Sequence, residues 1–549
     1  MTTVAEALAA ARATCPALHA RLAALDPAQQ AAVVCAERAT LVHAQVGSGK
    51  TTVLVHRAAY LHAVRGVPLA RIALLTFTTR AAAELRARLD AALGRATSAR
   101  ERPLVGTFHG VACALLRQAL PIEQLGYTRG FTILDDDAAA ALAVAAARRL
   151  KIRAGRRATL RDRLARDPAL AEVAAEAAAA RRARDAMDFD ELLAHATALL
   201  PAAPHAGPAH VLVDEVQDCE PRDLAFLRAL AGRDADFFAV GDPAQTIYGW
   251  RGSRPELMAR AAAELGCQTR ALPHSYRSTR TILEGARAIL GEQPGASGEL
   301  APVRPHGELL TILRHHDPLA EGAYLAARLT ELHATGVPWR DLAVLCRLRV
   351  QVTDLAAALT AGGVPCVHAA ELIVDGADPT PLDGELDTSA PDAVRVSTIH
   401  AAKGLEFARV FLAGANVGLL PLHVADEDTN VAEERRLLYV ALTRAREAVE
   451  ISYQARPYHH HALGVPSHLL APLPASVLGR DERRSMFAPP APAPVVAAAS
   501  GWCVGQRVRH ARYGTGTITA LGADAIDCDF GKLGPRVFPR ALCPLVGAH

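Results

Sequence analysis

Two hydrophobic patterns alternate along the first half of this 549-residue chain. Short, almost wholly apolar runs at 39–43, 72–75, 105–110, 210–213 and 237–240 have the length and flanks of buried strands. Between them, Ala- and Leu-rich stretches with apolar residues three and four apart predict helices at 4–24, at 52–62 and through most of 111–205. Strands that alternate with helices predict a parallel sheet in an α/β unit, and the long helical stretch reads as an insertion between two of its strands. Near the C-terminus the period changes to two. Residues 504–518 and 526–531 alternate in strand fashion around glycine turns and predict a small all-β barrel over 501–549. Pro and Ala dominate 476–500, including Ala488-Pro489-Pro490-Ala491-Pro492, which predicts a semi-extended linker.

Polar residues crowd the ends of the predicted strands, which is where open α/β sheets bind ligands. After the first strand comes Ala44-Gln45-Val46-Gly47-Ser48-Gly49-Lys50-Thr51, a phosphate-binding loop with Ala44 at the place of its first glycine. Gly47, Ser48 and Gly49 turn backbone N–H groups around a phosphate, Lys50 supplies a point charge to its oxygens, and the Thr51 hydroxyl suits Mg²⁺. The run 210–213 ends in Asp214-Glu215. One carboxylate there suits the metal shell and the other the activation of an attacking water, so Thr51 and Asp214 are the predicted metal residues and Glu215 the base. Upstream, Asp26-Pro27-Ala28-Gln29 starts a helix. Gln29 either reads an adenine edge, because an amide donates and accepts at once, or sits on the helix surface.

Further strand ends carry Phe77, then Thr107 and His109, and finally Gln245, Tyr248, Trp250 and Arg251. Gln245 is placed to sense a γ-phosphate. Aromatic residues make up 4% of the chain, so their concentration with Gly and Arg in one loop favours stacking faces for single-stranded bases.

Composition sets limits without naming a partner. The 60 Lys and Arg face 57 Asp and Glu, net +3, so any nucleic-acid site has to be a local groove. Ten cysteines stand singly with no Cys-x-x-Cys pair, which fits a reduced intracellular protein without a thiolate metal site. No apolar run reaches membrane-spanning length, and a cytoplasmic, nucleoid-associated protein with no membrane partner is expected. His459-His460-His461 reads as a polar loop, since consecutive histidines project in different directions.

In their order, these motifs resemble the superfamily-1 DNA helicases of the UvrD/Rep/PcrA family. The resemblance extends through Leu272-Pro273-His274-Ser275-Tyr276-Arg277-Ser278, Val394-Arg395-Val396-Ser397-Thr398-Ile399-His400-Ala401-Ala402-Lys403-Gly404-Leu405-Glu406, and Glu433-Glu434-Arg435-Arg436 to Thr443-Arg444. It implies two RecA-like lobes, the first at 1–110 and 206–275 with a helical insertion at 111–205, the second at 276–475 with strands near 309–312, 342–346 and 365–368. It implies ATP and Mg²⁺ as cofactors, and single-stranded and tailed duplex DNA as partners. Tyr276 would pack on adenine with Thr52 nearby, Glu406 approach the ribose, Arg277 and Arg444 reach the γ-phosphate, and Thr398 and His400 face DNA. The implied activity is that of a DNA-stimulated ATPase and 3′–5′ DNA helicase or translocase. The tail resembles the Tudor-like module of UvrD and PcrA, which implies docking onto RNA polymerase.

Departures from the family pattern bear on this. Thr52 stands where the family commonly has an arginine beside adenine, Thr79-Arg80 replaces Asn-Lys, and Ser275 replaces Asn. Where the family inserts a large regulatory subdomain, this chain has a polar tether near 374–392. Two other readings fit the same motifs: the motor subunit of a helicase–nuclease, or a nucleotide switch bound to RNA polymerase.

Overall fold

The computed structural model describes residues 3–98, 101–152, 164, 167–232, 235–291, 301–368, 392–423, 429–459, 462–479, 503–510, 514–522, 525–531, 535–539 and 546–547. Most of the tether, the Pro/Ala linker beyond 479, His460 and His461 lie outside them.

Six strands form the first sheet, side by side in the order Leu104–Thr107, Ile72–Thr76, His210–Val213, Asp236–Gly241, Ala39–Ala44 and Gln268–Leu272. Every pairing is parallel. Apolar runs are what such a sheet needs, because both faces are covered. Leu41, Ala73, Leu75, Val211, Val213, Phe237 and Ala239 pack on one side with helices from 108–200, while Val42, Leu74, Leu212, Phe238 and Val240 pack on the other with the N-terminal helices.

A second parallel sheet runs Thr311–His315, Ala445–Gln454, Phe407–Leu412, Leu342–Cys346, Val394–Thr398 and Cys366–His368. Two wholly parallel, helix-covered sheets in one chain fit a pair of RecA-like lobes. The apolar cluster on one face of the second sheet also takes in Val46, Ala244 and Ile247 from loops of the first. Packing therefore crosses between the sheets. Near the C-terminus, Pro535–Pro539, Ala525–Asp529, Gly514–Leu521, Arg507–His510 and Val546–Gly547 form a five-stranded antiparallel sheet around Val508, Ile518, Ile526, Cys528 and Phe530.

Local chemistry moves three of the expected elements. The helix expected over 4–24 is two, Val4–Thr14 and Pro16–Ala23, because Pro16 lacks the N–H that a continuous helix needs and instead starts the second. The strand expected over 105–110 stops at Thr107, whose hydroxyl accepts the Gly110 N–H at 3.1 Å and caps the helix Phe108–Gln118. The strand expected at 309–312 lies at Thr311–His315, leaving Leu309 exposed.

One buried carboxylate of the second lobe is held by three neutral donors. Glu321, on the helix Pro318–Ala334, accepts from Gly414 N–H at 3.0 Å, Ser452 Oγ at 2.6 Å and Gln454 Nε2 at 2.6 Å. Burial raises its pKa against those three bonds. A carboxyl with a raised folded pKa binds its proton more tightly when folded, so the wild-type chain loses stability as pH rises from the ordinary carboxylate range through the raised value. Glu321→Gln removes that dependence, and the amide of Gln454, whose Oε1 has no partner among the described residues, can turn to accept from it. Melting temperatures measured from pH 5 to 8 should show Glu321→Gln gaining on the wild type as pH rises, whereas Glu321→Ala, which takes the acceptor from the Gly414 N–H and the Gln454 amide, loses about 2–3 kcal/mol throughout.

Candidate nucleotide and nucleic-acid cleft

Both sheets turn the C-terminal ends of their strands towards one open cleft of about 1600 Å³. The phosphate loop lies between Ala39–Ala44 and the helix Lys50–Ala63, with Gly47 and Gly49 in left-handed conformations, φ 71° and 80°. A side chain at Gly47 would also meet Arg277 Cβ at 2.7 Å and Ser275 Oγ at 2.8 Å, so only glycine admits this approach. The loop thus presents its N–H groups at a helix N-terminus, as a phosphate requires.

Lys50 is 9% exposed and lies 3.7 Å from Glu215 Oε2, while Thr51 Oγ1 donates to Asp214 Oδ2 at 3.0 Å. Glu215 sits in the left-handed region, φ 53°, at the sharp turn after its strand. The two carboxyls are pushed apart in affinity for a proton. Burial, and then the adjacent Glu215, raise Asp214. Burial also opposes ionisation of Glu215, but Lys50, Lys403, the Gln217 amide and Arg444 together bring it below the ordinary range. A carboxylate kept ionised beside one that readily takes a proton is the environment that separates a base from a metal or proton holder.

The second lobe supplies the other wall. Arg444 is 1% exposed, donates through Nη2 to Gln245 Oε1 at 3.3 Å across the cleft, and is pushed down to about 9 by burial and by Arg277, so it is charged at neutral pH. Arg277 pairs with Glu406 at 2.8 Å, and Arg446 lies 3.6 Å from the same carboxylate. Tyr276 is exposed, its hydroxyl donating to Asp26 Oδ2 at 2.5 Å and its N–H to the Gly47 carbonyl at 3.0 Å. Thr52 lines the cleft beside it. Gln29 is buried, with its Nε2 on the Ser48 carbonyl at 2.9 Å.

The predicted DNA residues divide. Phe77, Thr107, His109, Tyr248 and Trp250 line the same cleft. Phe77 packs on Phe108 with centroids 4.9 Å apart, and His109 meets Phe189 edge-on at 5.4 Å. Trp250 is 45% exposed with the Arg251 guanidinium over its ring. Tyr248 is more enclosed, its hydroxyl donating to the His400 carbonyl at 3.3 Å. Thr398 and His400 fall outside the cleft lining. The Thr398 hydroxyl accepts the Ala401 N–H at 3.3 Å, and burial, Arg347 and Lys403 push His400 down to about 3, so it is neutral.

Residues to which the sequence reading gave no role tie the lobes together. Lys403 Nζ donates to both Asp218 oxygens, at 2.7 and 2.6 Å, and to the Gln245 carbonyl at 2.7 Å, with both partners below 10% exposed. Glu433 accepts the Gly249 N–H at 2.9 Å, and Arg436 Nε donates to the Thr246 carbonyl at 2.7 Å. All belong to recognisable motifs, but their partners are more than 150 residues away, so sequence supplies the residues and not the pairings.

Comparison with known proteins agrees with this geometry. The model of the UvrD/REP helicase N-terminal domain matches residues 25–167 and 152–265, and that of the UvrD-like helicase C-terminal domain matches 381–456. DNA helicase II of Escherichia coli strain K12 is 26% identical over 686 aligned positions, covering 90% of this chain and 94% of the relative. ATP-dependent DNA helicase UvrD1 of Mycobacterium tuberculosis strain H37Rv is 27% identical, covering 93% and 95%, and UvrD2 of the same strain is 28% identical, covering 79% of each. Fold, cleft and relatives together define an ATP-binding, DNA-binding helicase. The N- and C-terminal domain matches together span more than half of the sequence, and the chain belongs to the UvrD-like helicases. No helix among the described residues is long and apolar enough to cross a membrane.

The buried Lys403–Asp218 pair yields a test. Even with Lys403 beside it, burial holds Asp218 up at about 6. Lys403→Met should therefore destabilise the core by about 3 kcal/mol in chemical denaturation, and Asp218→Leu combined with Lys403→Met should recover much of that loss, since the cost is that of a stranded buried charge.

Proposed function

We propose that this chain is a DNA-stimulated ATPase that moves 3′ to 5′ along single-stranded DNA. The observation that carries the reading is the reach of Arg444 across the cleft to Gln245 in the first lobe, on the same opening that displays Trp250, Phe77 and His109. A triphosphate between Lys50 on one side and Arg277 and Arg444 on the other would be neutralised fully only with the lobes drawn together, which couples its hydrolysis to their movement.

In this reading Lys50 and the loop N–H groups hold the phosphates, Glu215 takes the proton of the attacking water, and Gln245 relays the state of the γ-phosphate to the loop that carries Tyr248 and Trp250. Among the described residues no three His, Cys, Asp or Glu side chains form a metal cluster. Thr51 and Asp214, 3.0 Å apart, are the residues that would hold a Mg²⁺ ion, which would offset the charge of the triphosphate. Tyr276 stacks on the base and Glu406 lies towards the ribose. Thr398 and His400 steady the wall behind Tyr248, and Phe77 and Trp250 alternate in gripping bases.

Two finer points belong to the same proposal. The alignment with DNA helicase II runs to 686 positions while using 90% of a 549-residue chain, so many positions of that relative have no counterpart here. This supports a missing regulatory subdomain at the tether and a chain that tracks one strand more readily than it opens a duplex. The C-terminal antiparallel sheet, whose strands lie within 507–547, is assigned to docking, with RNA polymerase as the partner that its resemblance to a Tudor-like module suggests.

Single-stranded DNA should stimulate ATP hydrolysis strongly, and Lys50→Ala or Glu215→Gln should lower the stimulated rate at least about a hundredfold. Translocation assays should show displacement of a blocking group from the 5′ end of a labelled strand. Hydrolysis indifferent to DNA would instead support a nucleotide switch.

A further inference from the structure

We infer that Gln217, which lies behind the cleft lining, is the positioning residue of the base: it pins one oxygen of Glu215 and ties it to the strand end that carries Gln245. This deepens the proposed function and rests on Glu215 being the base of triphosphate hydrolysis in this cleft.

A glutamate on a sharp turn has its backbone fixed and its side chain free to rotate, so something else must aim the carboxylate. Gln217 does so directly. Its Nε2 donates to Glu215 Oε2 at 2.6 Å, and Lys50 Nζ lies 3.7 Å from the same oxygen. Among the described residues no hydrogen bond is made to Glu215 Oε1. With Oε2 held from two sides, Oε1 is the oxygen left for a water in the cleft that Glu215 lines and Gln217 does not. A base misplaced by about 1 Å can lose about a hundredfold in rate, so a bond that fixes its rotamer has a direct kinetic consequence.

The other end of the amide is anchored in the first lobe. Gln217 Oε1 accepts the Asp242 N–H at 3.0 Å, and a Cβ at Gly241 would lie 2.7 Å from that oxygen, so glycine is what admits the amide there. The two ends make opposite demands, a donor for the carboxylate and an acceptor for the N–H, which sets the amide's orientation. Gln217 is fully buried, and no bulk water competes for these bonds. Asp242 Oδ2 in turn accepts from Gln245 Nε2 at 2.7 Å, and Gln245 Oε1 accepts from Arg444 Nη2 at 3.3 Å. Hydrogen bonds therefore run from the base, through Gln217 and Asp242, to the arginine of the second lobe.

The test is steady-state ATP hydrolysis by the full chain with single-stranded DNA, together with the equilibrium affinity for a fluorescent ATP analogue. Two variants are compared. Gln217→Met keeps the volume and loses the amide, and Gln217→Asn keeps an amide on a stem too short to reach Glu215. Both should lower kcat at least about tenfold while KM and the analogue's affinity stay within about twofold. In a Glu215→Gln chain, where the base is already lost, adding Gln217→Met should change kcat by less than about twofold, because the two residues act as one unit. A kcat within about threefold of the unaltered chain in either variant would overturn the inference. So would a fall of equal size in the Glu215→Gln background, or loss of nucleotide binding in both variants, since either marks a merely structural role. An unaltered chain that hydrolyses no ATP would instead remove the ATPase reading on which the inference rests.

Discussion

A lysine of one lobe buried against an aspartate of the other is the contact on which the cleft depends. Lys403 is held by Asp218 and by the Gln245 carbonyl, and these residues flank the two loops that carry Glu215 and Tyr248. Burying a charge is costly unless a partner accompanies it, so the first lobe's acidic strand end and the second lobe's basic loop are each poorly placed alone. Together they position Gln245, whose side chain meets Arg444. The nucleotide-facing and DNA-facing halves of the cleft therefore share a wall.

Hydrophobic packing gives that wall its support. Val46, next to the phosphate glycines, and Ala244 and Ile247, either side of Gln245, belong to an apolar cluster with Leu437, Tyr439 and Leu442 of the second lobe. Movement of one lobe must repack side chains adjoining the phosphate loop. Close-packed interiors deform little and switch between discrete arrangements, which is the property a stepping motor needs.

Much of this was legible in the sequence, because parallel strands buried on both faces leave apolar runs that end in polar clusters. The strands 39–44, 72–76, 210–213 and 236–241 could be found in that way, and with them Lys50, Thr51, Asp214 and Glu215, whose chemistry follows from residue type and spacing. The strand Gln268–Leu272 escaped, since Gln268, Thr269 and Arg270 break the apolar pattern at the sheet's edge. The Lys403–Asp218, Glu433–Gly249 and Arg436–Thr246 contacts escaped for a different reason. Each joins segments far apart in the chain, and a charged residue bound for a buried contact looks the same in sequence as one bound for solvent.

The distance between the lobes measures the central claim most directly. With fluorophores on the exposed residues Arg65 and Thr335, energy transfer should rise when a non-hydrolysable ATP analogue binds and return when ADP replaces it, and Arg444→Ala should abolish the change. A distance that stays constant through those states while the protein hydrolyses ATP would contradict the account.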